Sequence, residues 1–126
     1  MGDVKELCMD VVVARENFGE LEKATKESDP DIALALFSGR MLMHLVERPI
    51  QRGATIFDAR YKDTIVRFQA ESAIQRGIYS GPATQGRQVT GPGVLSLKIV
   101  GRGLDPSCLR QEILGYFSDA GIPTLN

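Results

Sequence analysis

The first segment of the chain repeats apolar residues at three- and four-residue steps, as an amphipathic helix does. The repeating residues are Val4, Leu7, Cys8, Val11, Ala14, Phe18 and Leu21. They fall within one arc of a helical wheel, which predicts a helix over about residues 3–26. The run Val11–Val13 is β-branched, however, and a short strand at 9–14 is the competing prediction.

A second helix is predicted over about residues 30–47. Asp29 supplies an N-cap, and Pro30 stands where the first helical residue tolerates proline. Apolar residues cover this segment almost all round, with only a narrow polar sector. Such a helix is either central to the core or shared between subunits. Pro49 ends it, because the residue before a proline is pushed out of the helical region.

After residue 54 the apolar period changes to two. Val66, Phe68 and Ala70 alternate with polar residues, which predicts a half-buried strand. The strands predicted for a small antiparallel sheet lie near residues 54–59, 64–71, 73–79 and 94–100. A helix over 56–76 is the alternative, since the residues from Thr55 resemble a helix start.

Glycine and proline concentrate at residues 80–93, which predicts a long mobile loop. Asp105 and Pro106 then open a final helix that runs to about Ser118. The elements together predict one α+β domain over residues 1–126. It has two N-terminal helices, a small antiparallel β-sheet and a C-terminal helix.

Composition agrees with a folded domain. The chain has 126 residues, of which 43% are hydrophobic and 25% charged, so it can bury a core without disulfides or metal. No stretch approaches the roughly 18 apolar residues of a membrane span. The first residues lack the basic and apolar regions of a signal peptide, which predicts a cytoplasmic protein.

Charge is divided by region far more than the net value of −1 indicates. Residues 1–39 carry −5, residues 40–103 carry +6, and the rest carry −2. Arginine dominates the middle block, and its planar fork suits bidentate binding to phosphate or carboxylate. The pattern fits a basic face on an acidic body. It also fits a self-assembly in which the acidic N-terminal region attracts the basic middle block.

The clearest candidate for a binding site is the stretch from Ser72 to Leu104, which contains no Asp or Glu. It holds four basic residues and seven of the thirteen glycines. The basic residues are Arg76, Arg87, Lys98 and Arg102. Cations without neighbouring acids can hold several phosphates, and glycine lets the backbone approach an anion. The simpler interpretation is a surface loop whose charges are only solvated.

Other chemistry has little support in the sequence. Gly86–Gly93 lacks the Lys-Ser/Thr ending of a phosphate-binding loop. His44 is the only histidine, which favours a packed or hydrogen-bonded role and leaves zinc short of ligands. Cys8 and Cys108 are expected to be a reduced pair, and an enzyme built on His44 or Cys108 is a remote option. We therefore predict no catalytic residues, metal or cofactor.

The sequence thus favours a small non-enzymatic binding protein. Its Arg-rich, acid-free face would engage an acidic partner, with nucleic-acid phosphate, DNA or RNA, as the leading candidate. The alternative is a homo-oligomeric adaptor or assembly protein that joins the acidic N-terminal region to the basic middle block. The sequence resembles no family on residues that we can name.

Overall fold

We describe the protein from a computed structural model over residues 3–80 and 85–126, with side chains outside 75–88. The elements in chain order are β1 (Val4–Val13), a 3-10 turn (Arg15–Asn17), α1 (Phe18–Thr25), α2 (Pro30–Leu45), β2 (Glu47–Gln51), β3 (Ile56–Tyr61), β4 (Thr64–Ser80), β5 (Gln85–Arg102) and α3 (Pro106–Asp119). Within these ranges no helix is long and apolar enough to cross a membrane.

The five strands form one antiparallel sheet in the order β1-β5-β4-β3-β2. The first strand therefore pairs with the last, from Val4 opposite Arg102 to Val13 opposite Gly93. Two helices separate β1 from the other strands, and α3 follows them. This architecture confirms the predicted α+β class.

Alternate residues of the strands face the helices and form the core. In β1 the buried residues are Leu7, Met9, Val11 and Val13, and in β5 they include Leu95, Leu97 and Ile99. Phe37 of α2 packs on Phe117 of α3, with ring centroids 4.8 Å apart. The helices thus cover one face of the sheet, and the opposite face carries the exposed residues of each strand.

The helix starts read from the sequence are confirmed. Asp29 accepts hydrogen bonds from the backbone N–H groups of Asp31 and Ile32, at 2.9 and 3.4 Å. Asp105 accepts one from the N–H of Cys108 at 3.2 Å. Each aspartate therefore satisfies donors that have no partner inside the helix.

Both edges of the sheet are protected. At the β1 edge, the backbone N–H of Leu125 donates to the carbonyl of Val12 at 2.9 Å. The side-chain amide of Asn126 accepts from the N–H of Val12 and donates to the carbonyl of Asp10. At the other edge, β2 is short, contains Pro49 and has an irregular register with β3. Such features hinder pairing with a foreign strand.

The predicted first helix is wrong over most of its length. Residues 4–13 form β1, and only residues 18–25 are helical as α1. Leu7 and Val11 are four residues apart, so they lie on one side of a helix and equally on one side of a strand. The β-branched run Val11–Val13 was the correct signal, as the competing strand at 9–14 proposed.

The sheet is also larger than predicted. The strands predicted at 64–71 and 73–79 form one strand, β4, with a register shift between Ile74 and Arg76. Residues 85–93, predicted as loop, belong to β5, because pairing with β4 outweighs the turn preference of glycine and proline. Residues 81–84 of that loop lie outside the described residues. The edge strand β2 was not predicted, and the alternative helix over 56–76 does not form.

Candidate functional site

Two of the four predicted basic residues lie together on the uncovered face of the sheet. Lys98 and Arg102 are exposed residues of β5, four positions apart, and therefore point to the same face. Gly101 and Ile99 between them are buried on the helix side. This arrangement supplies part of the basic surface that the sequence predicts.

The other two, Arg76 and Arg87, have backbone positions farther along the β4–β5 hairpin. Arg76 is opposite Val89, and Arg87 is opposite Ile78. Lys98 is opposite Gln69, so these positions lie about 20–30 Å along the strand from Lys98. Their side chains lie outside the described residues. The strand pairing therefore divides the predicted set into two pairs instead of one cluster.

A second group of arginines, not selected from the sequence, lies at the β2–β3 side of the sheet. Arg48, Arg52 and Arg60 line one groove of about 300 Å³, with Asp58 as the acid in the same lining. Ile50 and Ile65 contribute exposed apolar surface to it. We call the five arginines of this end the basic sheet end: Arg48, Arg52, Arg60, Arg67 and Arg102.

Asp58 organises two of these arginines. Arg67 Nε donates to Asp58 Oδ1 at 2.9 Å, and Arg52 Nε donates to Asp58 Oδ2 at 3.0 Å. The hydrogen bond from Arg67, followed by that from Arg52, lowers the pKa of Asp58 below its ordinary value. One carboxylate therefore fixes two guanidinium groups beside each other while leaving a net positive charge.

The remaining arginines are less neutralised. Arg60 lies 3.9 Å from Asp63, at the limit of an ion pair, and its Nε donates to the carbonyl of Lys62. Across the described part of the chain, no carboxylate forms an ion pair with Arg48 or Arg102. These side chains are therefore available to an external anion.

Lys98 is more constrained than Arg102. Its Nζ lies 3.7 Å from Glu6 Oε1 on the neighbouring strand β1. Glu6 also accepts a hydrogen bond from the thiol of Cys8 at 2.8 Å, and this contact raises the pKa of Cys8. Part of the attraction between the acidic N-terminal region and the basic middle block is thus satisfied within one chain.

A separate polar cluster joins the β3–β4 turn to α3. Tyr61 donates to Glu112 Oε1 at 3.0 Å, and Lys62 Nζ lies 3.1 Å from both Glu112 Oε1 and Cys108 Sγ. A neighbouring cavity of about 480 Å³ opens beside Tyr61, Lys62 and Cys108. The groups satisfy one another, which gives the cluster a structural role in holding α3 to the sheet.

The two cysteines are free thiols, and Cys8 faces away from the helices while Cys108 lies on α3. His44 is exposed on α2 with its ring 5.1 Å from that of Tyr116. In the described part of the chain, no group of three or more His, Cys, Asp or Glu side chains is placed to hold a metal ion.

Sequence reasoning selected the basic middle block but not the residues that the fold brings together. Arg48, Arg52 and Arg60 are spread over thirteen positions and meet only because β2 pairs with β3. A signal was present in the excess of arginine over lysine between residues 40 and 103. No family model, curated protein or solved structure matches this chain. Its function is therefore argued from this geometry.

Proposed function

We propose that the chain is a non-enzymatic binding protein whose basic sheet end engages the phosphates of a nucleic acid. The observation that carries the proposal is the groove that three arginines and a single aspartate line together. Lys98 extends the same face along β5. Arg76 and Arg87, farther along the hairpin, would extend the contact toward a longer strand.

The chemistry of the groove supports an anion as its ligand. Guanidinium groups bind phosphate through two parallel hydrogen bonds and remain charged at any pH of interest. Asp58 is occupied by Arg52 and Arg67, so it orients donors and repels a phosphate less than an unpaired carboxylate would. Ile50 and Ile65 offer apolar contact to the sugar or base beside that phosphate.

Salt-dependent binding to oligonucleotides tests the proposal. Fluorescence anisotropy with labelled single-stranded and duplex oligonucleotides should show affinity that falls steeply as salt rises. The expected slope is about −0.7 to −0.9 per phosphate contact in a plot of log affinity against log salt. Binding that is absent at low salt, or that does not respond to salt, would remove the proposal.

Matched variants locate the contact. The triple variant Arg48→Ala, Arg60→Ala, Arg102→Ala should weaken binding and flatten the salt slope by two to three contacts, since each arginine supplies about one. The control triple Arg15→Ala, Lys23→Ala, Arg110→Ala removes the same charge from exposed positions elsewhere. Equal affinities of the two triples would show that only net charge matters.

A second comparison tests the residues chosen from the sequence. The triple variant Arg76→Ala, Arg87→Ala, Arg102→Ala shares only Arg102 with the first set. If the basic sheet end is the main contact, this variant loses less affinity than the one lacking Arg48, Arg60 and Arg102. The reverse order would move the site to the far part of the β4–β5 hairpin.

Self-assembly is the second candidate function. The specific observation in its favour is apolar: Ile32, Leu36 and Met43 of α2 are exposed by 48%, 43% and 63%. The ion pair between Glu6 and Lys98 forms within one chain, so it uses some of the charge that a head-to-tail assembly would need. We therefore place the self-association surface on α2 instead of on the charged blocks.

A further inference from the structure

Helix α2 is apolar on two opposite sides. One side, which includes Leu34, Phe37 and Met41, is buried against the sheet and α3. The other side carries a stripe that faces solvent: Ile32, Leu36, Gly39 and Met43. At about 100° per residue the four positions fall within an arc of about 60°, nearly opposite the buried side. A surface helix of a monomer has no need of a second apolar stripe.

The spacing of this stripe is symmetric. Its steps of four, three and four residues are the steps of a coiled-coil seam, and they read the same in either direction along the helix. An antiparallel copy of α2 therefore presents its stripe residues at the same spacings, although the residues follow in reverse order. In that register Ile32 meets Met43 of the second copy, and Leu36 meets Gly39. A two-fold axis between the copies makes both halves of the contact identical.

The helix dipoles favour the antiparallel orientation. The stripe lies along an open groove of about 980 Å³ on the outer side of α2. An antiparallel second copy places the positive N-terminal end of one α2 beside the negative C-terminal end of the other. A parallel copy would bring the like ends of the two helix dipoles together.

Gly39 provides the depression that Leu36 of a second copy needs. A Cβ atom added at Gly39 would meet no atom within 4 Å, so the protomer leaves this position open. Glycine within a helix costs about 1 kcal/mol relative to alanine, and nothing inside the protomer requires it here. Small residues at a helix contact let two backbones approach closely.

From these observations we propose that α2 packs antiparallel against α2 of a second copy of this chain, through Ile32, Leu36, Gly39 and Met43. The contact is a single helix pair, at the small end of specific interfaces, so the dimer should form in the micromolar to near-millimolar range. The inference concerns a different surface from the basic sheet end and does not depend on nucleic-acid binding.

Sedimentation analysis over a concentration series is the first test. The parent chain should shift from monomer to dimer, and Leu36→Glu should weaken the dimer at least about tenfold, as the loss of a central apolar anchor does. Ile65→Glu is the matched control, because Ile65 is 67% exposed on the opposite face of the sheet. A parent chain that stays monomeric, or equal losses in the two variants, would overturn the proposal.

Gly39→Leu gives a variant that should fold normally, since Gly39 is exposed and an added Cβ atom there meets nothing within 4 Å. It should retain the circular dichroism of the parent while weakening the dimer to a similar degree as Leu36→Glu. A Gly39→Leu dimer as tight as the parent dimer would contradict the close approach of the two helices.

Disulfide trapping tests the register. In a Cys8→Ser, Cys108→Ala background, chains with Ile32→Cys are mixed with chains carrying Met43→Cys and are then oxidised. The antiparallel register predicts that the mixture forms cross-linked dimers much faster than either chain alone. Faster linkage within each separate variant would show a parallel pairing and overturn the proposed arrangement.

Discussion

The ammonium nitrogen of Lys62 lies 3.1 Å from Oε1 of Glu112, so a two-residue hairpin turn is joined directly to α3. Burial opposes the charge on Glu112, but hydrogen bonds from Lys62, Tyr61 and Cys108 outweigh it and lower the pKa of Glu112. Hydrogen bonds to Cys108 and Glu112 in turn raise the pKa of Lys62. The ion pair between Lys62 and Glu112 is therefore held in its charged form at neutral pH.

The backbone of Lys62 predicts an unusual order of stability for its variants. Lys62 has φ of 53°, in the left-handed region that costs a residue with a Cβ atom roughly 1–2 kcal/mol. Lys62→Gly loses the ion pair but relieves that backbone cost. Lys62→Ala also loses the ion pair and retains the backbone cost. Urea denaturation should show Lys62→Gly to be the more stable variant, by about 0.5–1 kcal/mol after the flexibility of unfolded glycine is included. The opposite order would show that the turn is not strained.

Tyr61 should ionise at a higher pH than an ordinary tyrosine does. Burial raises its pKa above the usual 10.0, and its contacts with Cys108 and Glu112 act in the same direction. A raised pKa means that the folded state holds the proton more firmly. The stability that results is complete below pH 10 and is lost as the pH rises through the folded-state pKa.

Absorbance titration of tyrosinate measures this shift. Tyr61 should ionise above the ordinary range of tyrosine, and Tyr61→Phe should abolish that high-pH step. Tyr116→Phe is the control and should leave the step in place. Tyr61→Phe should also reduce the free energy of unfolding at neutral pH by about 1 kcal/mol, because its hydrogen bonds are lost.

Asp58→Asn should change stability and anion binding in opposite directions. Removing the carboxylate frees Arg52 and Arg67, so the folded protein becomes less stable at neutral pH. The groove at the same time loses its negative charge, and affinity for oligonucleotides should rise at least a few-fold. Anisotropy and urea denaturation on the same sample separate the two effects.

The pH dependence of this variant follows from the lowered pKa of Asp58. The ionised carboxylate contributes stability above its unfolded value of 3.8, and that contribution is lost as the pH falls through the folded-state pKa. The difference in stability between parent and Asp58→Asn should therefore shrink in acid. Asp63→Asn removes a fully exposed carboxylate at the limit of an ion pair, and as the control it should leave the stability nearly unchanged.

Replacement of glycine by alanine should have opposite effects on stability at two positions. A Cβ atom at Gly101 would lie 2.8 Å from Val66 Cγ1 and 3.1 Å from the backbone oxygen of Ile65, so Gly101→Ala should destabilise the fold by about 1–3 kcal/mol. A Cβ atom at Gly115 of α3 would meet nothing within 4 Å. Gly115→Ala should therefore stabilise the helix by up to about 1 kcal/mol. Thermal denaturation distinguishes the two, and a stable Gly101→Ala would indicate that β4 and β5 can separate slightly.

Local signals predicted the parts of this fold that depend on neighbours in the sequence. Asp29 and Asp105 marked two helix starts, and the alternation of Val66 with Phe68 marked a strand. The sequence could not show that residues 85–93 extend β5, because that strand exists only through its pairing with β4. The same limit applies to β1. Its apolar spacing also suits a helix, and pairing with β5 is what makes it a strand.

The sequence predicted the kind of residue in the candidate site but not which residues the fold brings together. An Arg-rich middle block was visible in the sequence, and the structure places two of its members, Lys98 and Arg102, on one exposed face. The grouping of Arg48, Arg52 and Arg60 depends on a five-residue edge strand with an irregular register, which leaves no periodic pattern in the sequence. Contacts between distant segments thus decide which cations of the block act together.

The pairing of β1 with β5 has a consequence for the order in which the molecule folds. The hairpins of β2, β3 and β4 can close soon after each strand is synthesised, because their partners are adjacent in sequence. β1 must wait until Arg102 has left the ribosome before its final register can form. Its valine-rich edge is exposed throughout that interval, and contacts of such long sequence separation slow folding. Completion of this sheet is therefore a late event in folding, and a chaperone that shields residues 4–13 would raise the yield of folded protein.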